Sequence, residues 1–209
     1  IRFLLRSFAR NESSTVTNKK LKNDIKSIDD EDINIDTIAD YLNLFNRLFI
    51  TDNLKPFFSN IRSSLRIKQS EKRHFTDPSL ACALLNITPQ MLINDLNTLG
   101  FLFESMCLRD LRIYAESSGG KLYHYQDYDN NEIDAVIEAE DGKWYAFEIK
   151  LGANQIDEAA RNLKHIYDKL AKSPETRLPS AMVVICGLSN AAYRRDDGIY
   201  VIPITALKD

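Results

Sequence analysis

Residues 131–152, NEIDAVIEAEDGKWYAFEIKLG, decide how the rest of the chain is read. Ile133, Ala135 and Ile137 alternate with Asp134, Val136 and Glu138, while Tyr145, Phe147 and Ile149 alternate with Trp144, Ala146, Glu148 and Lys150. Alternation with a period of two is the mark of β-strands, so the stretch reads as a hairpin. A one-residue slip would flip every side chain to the other face, and the register that pairs the two apolar sets is therefore preferred. That register needs a three-residue loop, Glu140-Asp141-Gly142, whose glycine can take the left-handed position. A two-residue loop would set Asp134 opposite Ile149. The preferred register sets Asp134 across from Glu148 and puts Lys150 on the same face.

Two carboxylates about 5 Å apart across a strand pair repel unless something positive lies between them. A divalent ion meets that need, because Mg²⁺ is typically held by one or two carboxylates with water and phosphate oxygens completing its shell. Lys150 could then orient a water or neutralise charge developing on a phosphate. The competing reading of Glu148-Ile149-Lys150 alone is a solvated polar face with an ordinary ion pair; Asp134 across the strand is what points to chemistry.

Asp134 followed by Glu148-Ile149-Lys150 resembles the bipartite signature of the PD-(D/E)XK, or restriction-endonuclease-like, superfamily, with Ile133 where the name has proline. The resemblance implies an αβββαβ core, Mg²⁺ or Mn²⁺ as cofactor, and catalytic roles for Asp134, Glu148 and Lys150.

Composition agrees with a globular protein but announces no partner. The 209 residues are 44% hydrophobic and 27% charged, with a net charge of −3. Residues 1–99 carry 14 basic and 12 acidic groups, and residues 100–209 carry 13 and 18. DNA, if bound, must be gripped by local patches and metal. Cys82, Cys107 and Cys186 lie far apart in apolar runs, as reduced core thiols of an intracellular, cytoplasmic protein do, and no zinc spacing occurs. The longest apolar run, 181–188, has a strand's length, so no membrane partner is expected. No glycine-rich phosphate loop is present. The chain opens in mid-pattern with IRFLLRSFAR, as a piece of something longer would.

The first half predicts three helices: residues 1–10, a short one capped by Thr17-Asn18, and a longer one opened by Asp36-Thr37 with Ile38, Tyr41, Leu42, Phe45 and Leu48 at helical spacing. A loosely alternating stretch after Asn53 predicts a β-wing, which makes residues 1–75 a winged helix-turn-helix. Asp29 to Asp32, Asp40, Asn43 and Asn46 put little positive charge near its recognition helix. Arg62, Arg66, Lys68, Lys72 and Arg73 on the wing are the candidate nucleic-acid contacts, with a solvated edge or a packing role as the alternative. Residues 76–96 predict a helical connector of two short helices, the second starting at Thr88-Pro89.

Residues 97–209 form the expected catalytic domain. A helix of about five turns ends before Gly119-Gly120 and carries Glu104 on its apolar stripe. An acid there must be paired, protonated or bound to metal. The superfamily resemblance makes Glu104 a third metal ligand beside Asp134 and Glu148; a structural salt bridge, to Lys150 for instance, is the other reading. Strands at KLYHYQDY and in the hairpin, a helix capped by Asn154, and strands at AMVVICGL and GIYVIPIT complete an α-β-β-β-α-β-β order. Gln155 at that helix start is an accessory candidate or a plain helix-start residue. His124 reads as a strand residue, and His74 and His165 have no spacing partner.

TIADYLNLFNRLFI, HFTDPSLACALL, GFLFESM, NEIDAVI and FEIK together look like the C-terminal region of a large family of bacterial and archaeal AAA-type ATPases, in which a P-loop domain precedes a winged helix and a restriction-endonuclease-like domain. The departures are Asp77-Pro78-Ser79-Leu80, where glycine is expected near Ser79, and Asn131, where glycine often precedes the acidic pair. The resemblance implies an upstream ATPase domain on the same polypeptide and leaves a homo-oligomer open. The leading expectation is a metal-dependent DNA nuclease-like domain. The alternative is the same fold as an inactive module that binds DNA or protein.

Overall fold

The computed structural model describes residues 1–29, 33–59 and 70–207, the side chains of 28 and 29 excepted. Its helices and one mixed sheet make it an α/β protein of the α+β kind, as expected. Two compact units divide it: Ile1–Leu54 with Ser70–Met106, and Lys55–Gln69 with Cys107–Asp209, each taken over its described residues. The division falls inside one helix and groups the short helices after residue 76 with the first unit.

The first unit holds α1 (Arg2–Arg10), α2 (Asn18–Asp29), α3 (Ile35–Arg47), α4 (Pro78–Leu85) and α5 (Pro89–Asn94). α1 follows Ile1 and has no side-chain cap, but the other four helices start on a short polar side chain answering an orphan helix N–H. Thr17 accepts from the Lys20 N–H at 3.2 Å, Asp77 from Ser79 at 2.8 Å and Thr88 from Met91 at 3.3 Å. For α3 the cap is Asn34, which accepts from the Asp36 N–H at 3.1 Å; Asp36, expected to open the helix, is already inside it. Leu4, Phe8, Leu21, Ile38, Phe45, Phe75 and Ala81 form this unit's core. Antiparallel bridges join Ser14 to Arg73, Thr51 to Phe75 and Leu54 to Lys72. Three helices and short extended arms follow one another in this unit. The tip of the expected wing, with Arg62, Arg66 and Lys68, lies outside the described residues.

α6 (Leu96–Ser117) runs from the first unit into the second, where β1 (Lys121–Gln126), β2 (Glu132–Glu138), β3 (Trp144–Lys150), α7 (Ile156–Leu170), β4 (Ala181–Cys186), β5 (Tyr193–Arg194) and β6 (Tyr200–Pro203) follow. The sheet order is β1-β2-β3-β4-β6-β5. β1, β2 and β3 pair antiparallel, whereas β4 lies parallel to β3 and β6 parallel to β4. A parallel pair needs a long crossover, and α7 supplies it between β3 and β4. Val136, Trp144 and Ala146 on the hairpin join Ala159, Ala160, Leu163 and Ile166 of α7 and Val184 and Cys186 of β4 in one core. The face that carries Asp134 and Glu148 is therefore covered by a helix along most of its length. Asn154 does not cap α7: a 3₁₀ turn, Ala153–Gln155, leads into the helix, with no side-chain cap bond at its start.

Candidate active site

The β2–β3 ladder pairs Ala135 with Phe147, Val136 with Ala146, Ile137 with Tyr145 and Glu138 with Trp144. One step further in that register sets Asp134 across from Glu148. The Ala139 N–H donates to the Lys143 carbonyl at 2.9 Å, which leaves Glu140-Asp141-Gly142 as the loop, and Gly142 has φ +77°. Only a residue without a Cβ takes that angle at little cost, so this glycine fixes the register.

The register gathers three charges. Lys150 Nζ lies 3.1 Å from Asp134 Oδ2 and 2.7 Å from Glu148 Oε2. The side chain of Glu148 is 4% exposed, that of Asp134 11% and that of Lys150 26%, so an approaching solute meets the ammonium first. Each carboxylate also takes a second donor. Asp134 Oδ2 accepts from the Ile149 N–H at 2.8 Å. Glu148 Oε1 accepts from Asn162 Nδ2 at 2.9 Å, and the same amide donates to the Glu132 carbonyl at 2.8 Å. Burial, and then the charge of Asp134, push the Glu148 carboxyl up to about 8, against the pull of Lys150 and Asn162. Burial lowers the Lys150 ammonium, but Asp134 and Glu148 together raise it above its usual value, so it stays charged.

Asn162 is the group that spacing could not find. It lies 14 residues from Glu148 and 30 from Glu132, and only the crossover that lays α7 on the sheet brings it there. Its helix is pinned again near its end. Lys169 Nζ reaches Asp127 Oδ2 at 2.6 Å and Asp129 Oδ2 at 2.5 Å. Asp127 in turn accepts from the N–H groups of Asp129 and Asn131 and from the Asn131 amide.

Glu104, Lys72, Arg73 and Gln155 have partners within their own units. Glu104 Oε1 accepts from Lys72 Nζ at 2.6 Å and from Ser13 Oγ at 2.9 Å, all within the first unit. Lys72 is buried by that pairing, and Arg73 donates to the Val16 carbonyl and to Asn18 Oδ1. Gln155 is exposed and accepts from the Gly152 N–H at 3.2 Å, a helix-start contact. His124 is buried on β1, as read. Cys82, Cys107 and Cys186 are free thiols.

Among the described residues no group of three or more His, Cys, Asp or Glu side chains could hold a metal ion. Asp134 and Glu148 do fit a hard divalent cation of the Mg²⁺ type, which needs few protein carboxylates. The observation behind that fit is a cation already between them: the Lys150 ammonium occupies a position that both carboxylates point to. No described helix is long and apolar enough to cross a membrane.

Fold and site together define an α/β domain whose sheet carries a carboxylate–lysine–carboxylate trio at the end of a hairpin. Residues 99–207, just over half of the chain, match the model of a domain of unknown function, DUF4143, and the chain belongs to that family. Residues 1–91 match a second domain of unknown function, DUF8612. No curated protein and no solved structure matches the chain.

Proposed function

We propose that the second unit is a metal-dependent nuclease-like domain of the PD-(D/E)XK type that hydrolyses DNA phosphodiester bonds, on a polypeptide that also carries an AAA-type ATPase. One observation carries the reading: Asp134 and Glu148 face each other across the hairpin with Lys150 in reach of both. The ATPase rests on the sequence resemblance alone.

Asp134 and Glu148 would hold Mg²⁺ or Mn²⁺, which when bound supplies a Lewis acid for the phosphate and lowers the pKa of a coordinated water. The chain's own groups do the rest. The Asn162 amide holds Glu148 Oε1 while Oε2 meets Lys150, and the Ile149 N–H shares Asp134 Oδ2 with Lys150, so both carboxylates are oriented by the chain itself. Glu148 must give up its proton to act as a ligand, which the site resists below about pH 8. Lys150, the most exposed of the three, offers its ammonium to a non-bridging phosphate oxygen or to the attacking water. Its outward position also answers a steric and electrostatic need, since a cleft lined by acids alone would turn a polyanion away.

The test is cleavage of supercoiled, linear and single-stranded DNA with Mg²⁺ or Mn²⁺ by wild type, Asp134→Asn and Lys150→Ala. Metal-dependent cutting that both variants lose supports the assignment; cutting that survives both overturns it. A second reading is an inactive module for binding DNA or protein, and one observation favours its protein-binding form. Of the five basic residues expected to touch DNA, Lys72 and Arg73 are engaged inside the first unit.

A further inference from the structure

The third helix of a winged helix is the one commonly offered to DNA, and here its outer face is unsuited to a polyanion. Asp36, Asp40 and Leu44, with Leu48 just past the end of α3, follow one another at intervals of four and are all exposed. Residues so spaced stack along one side of a helix as a single slanted ridge. Two acids therefore lead and two leucines follow.

The ridge ends at Phe49, whose ring is 81% exposed and whose φ is +55°. A bulky residue in the left-handed region is uncommon and costs on the order of 1 kcal/mol. The surrounding backbone holds it there. The Phe49 N–H donates to the Asn46 carbonyl at 3.1 Å, the Thr76 hydroxyl donates to the Phe49 carbonyl at 2.6 Å, and the Ile50 N–H returns to Phe45 at 2.9 Å. The turn thus presents an aromatic side chain to solvent close in sequence to two exposed leucines, which gives a partner apolar groups to cover.

The complement lies in the same unit. Arg2 and Arg6 are one turn apart on α1, exposed, and given no carboxylate partner among the described residues. They rim a groove of about 410 Å³ with Leu5, Phe75, Leu80 and Leu84 on its walls and no acid in its lining. One-turn spacing is about 6 Å on any α-helix, so the Arg2–Arg6 and Asp36–Asp40 intervals match. What the groove lacks, carboxylates followed by an apolar ridge, the other surface displays.

We infer that the α3 ridge of one copy docks in the Arg2–Arg6 groove of a second copy of this chain. The two surfaces are different patches, so the contact is head-to-tail and gives a ring if the rotation closes or a chain if it does not. A single ridge in a single groove is smaller than a stable dimer interface, so association is weak, concentration-dependent and salt-sensitive.

The test is sedimentation equilibrium of the 209-residue chain, freed of nucleic acid, with two charge-reversed proteins: Arg2→Glu with Arg6→Glu, and Asp36→Lys with Asp40→Lys. All four positions are exposed, and each reversed protein is the folding control for the other. At about 100 µM the wild type should average at least about 1.5 times the monomer mass and return to monomer in about 0.5 M salt. Either reversed protein alone should stay monomeric, because like charges then face each other. An equimolar mixture of the two should associate, since every ridge again meets a groove of opposite sign. A wild type that is monomeric at every concentration overturns the inference and leaves the groove to an acidic segment of another protein. Reversed proteins that associate as the wild type does, or a mixture that stays monomeric, overturn it equally.

Discussion

Burial and the neighbouring Asp134 hold the Glu148 carboxyl at about 8, against an ordinary value of 4.5. The folded chain therefore keeps a proton that the unfolded chain has released between those two values. Stability from this group is complete below the window and falls as pH rises through it. The loss is on the order of a few kcal/mol, and Glu148→Gln, which cannot ionise, should flatten that part of the profile. Urea unfolding at about pH 5, 7 and 8.5 reads the difference; an unchanged slope in the variant would place the titration elsewhere. The same proton must leave before Glu148 can ligate a cation, so Mg²⁺ affinity should climb with pH up to about 8. Asn162 is the other residue on which Glu148 depends. Asn162→Ala removes two part-buried hydrogen bonds, one of them to the buried Glu148, and should cost about 1–3 kcal/mol. It should also weaken Mg²⁺ binding about tenfold, an effect that titration calorimetry separates from the loss of stability.

The β2–β3 hairpin was legible from sequence because strand periodicity and loop length restrict each other. Alternation set the faces, and a loop ending in Gly142 left one register that paired the apolar sets. What alternation could not show is that the polar face is also a core face. Val136, Ala146 and Trp144 share the side of Asp134 and Glu148, and α7 closes over them. Helix starts were less legible. Asn34 and Asp36 are both good caps, and nothing local says which N–H groups point where. Asn162 was invisible for a stronger reason, since its partners meet it only across a crossover. The attachment of α7 can be tested at its far end. Asp127 takes Lys169 and three N–H donors from its own loop, so Asp127→Ala leaves the loop donors unanswered while Lys169 keeps Asp129. A loss of about 1–3 kcal/mol is expected, with faster amide exchange in the β1–β2 loop. Exchange unchanged from wild type would show that the loop holds its shape without Asp127.

Across the whole chain, charges that sequence grouped by type are sorted by unit. Glu104, read as a metal ligand or a salt-bridge partner, has Lys72 and Ser13 beside it in the first unit. Glu104→Gln takes a negative charge from beside the buried Lys72 ammonium and should lower stability by about 1–3 kcal/mol. Mg²⁺ titration of the same variant tests Glu104 as a third ligand: a large loss of affinity in folded protein supports that role, and unchanged affinity leaves the carboxylate to Lys72 and Ser13. On the proposed function, the position between Asp134 and Glu148 takes a divalent cation, and Lys150 fills it from within. Calorimetric titration of Mn²⁺ at about pH 8.5 into wild type, Asp134→Asn and Lys150→Ala tests it most directly. One ion should bind the wild type, binding should vanish in Asp134→Asn, and Lys150→Ala should bind more tightly because the internal competitor is gone. A wild type that takes up no ion, or a Lys150→Ala that binds no better than wild type, would contradict the claim.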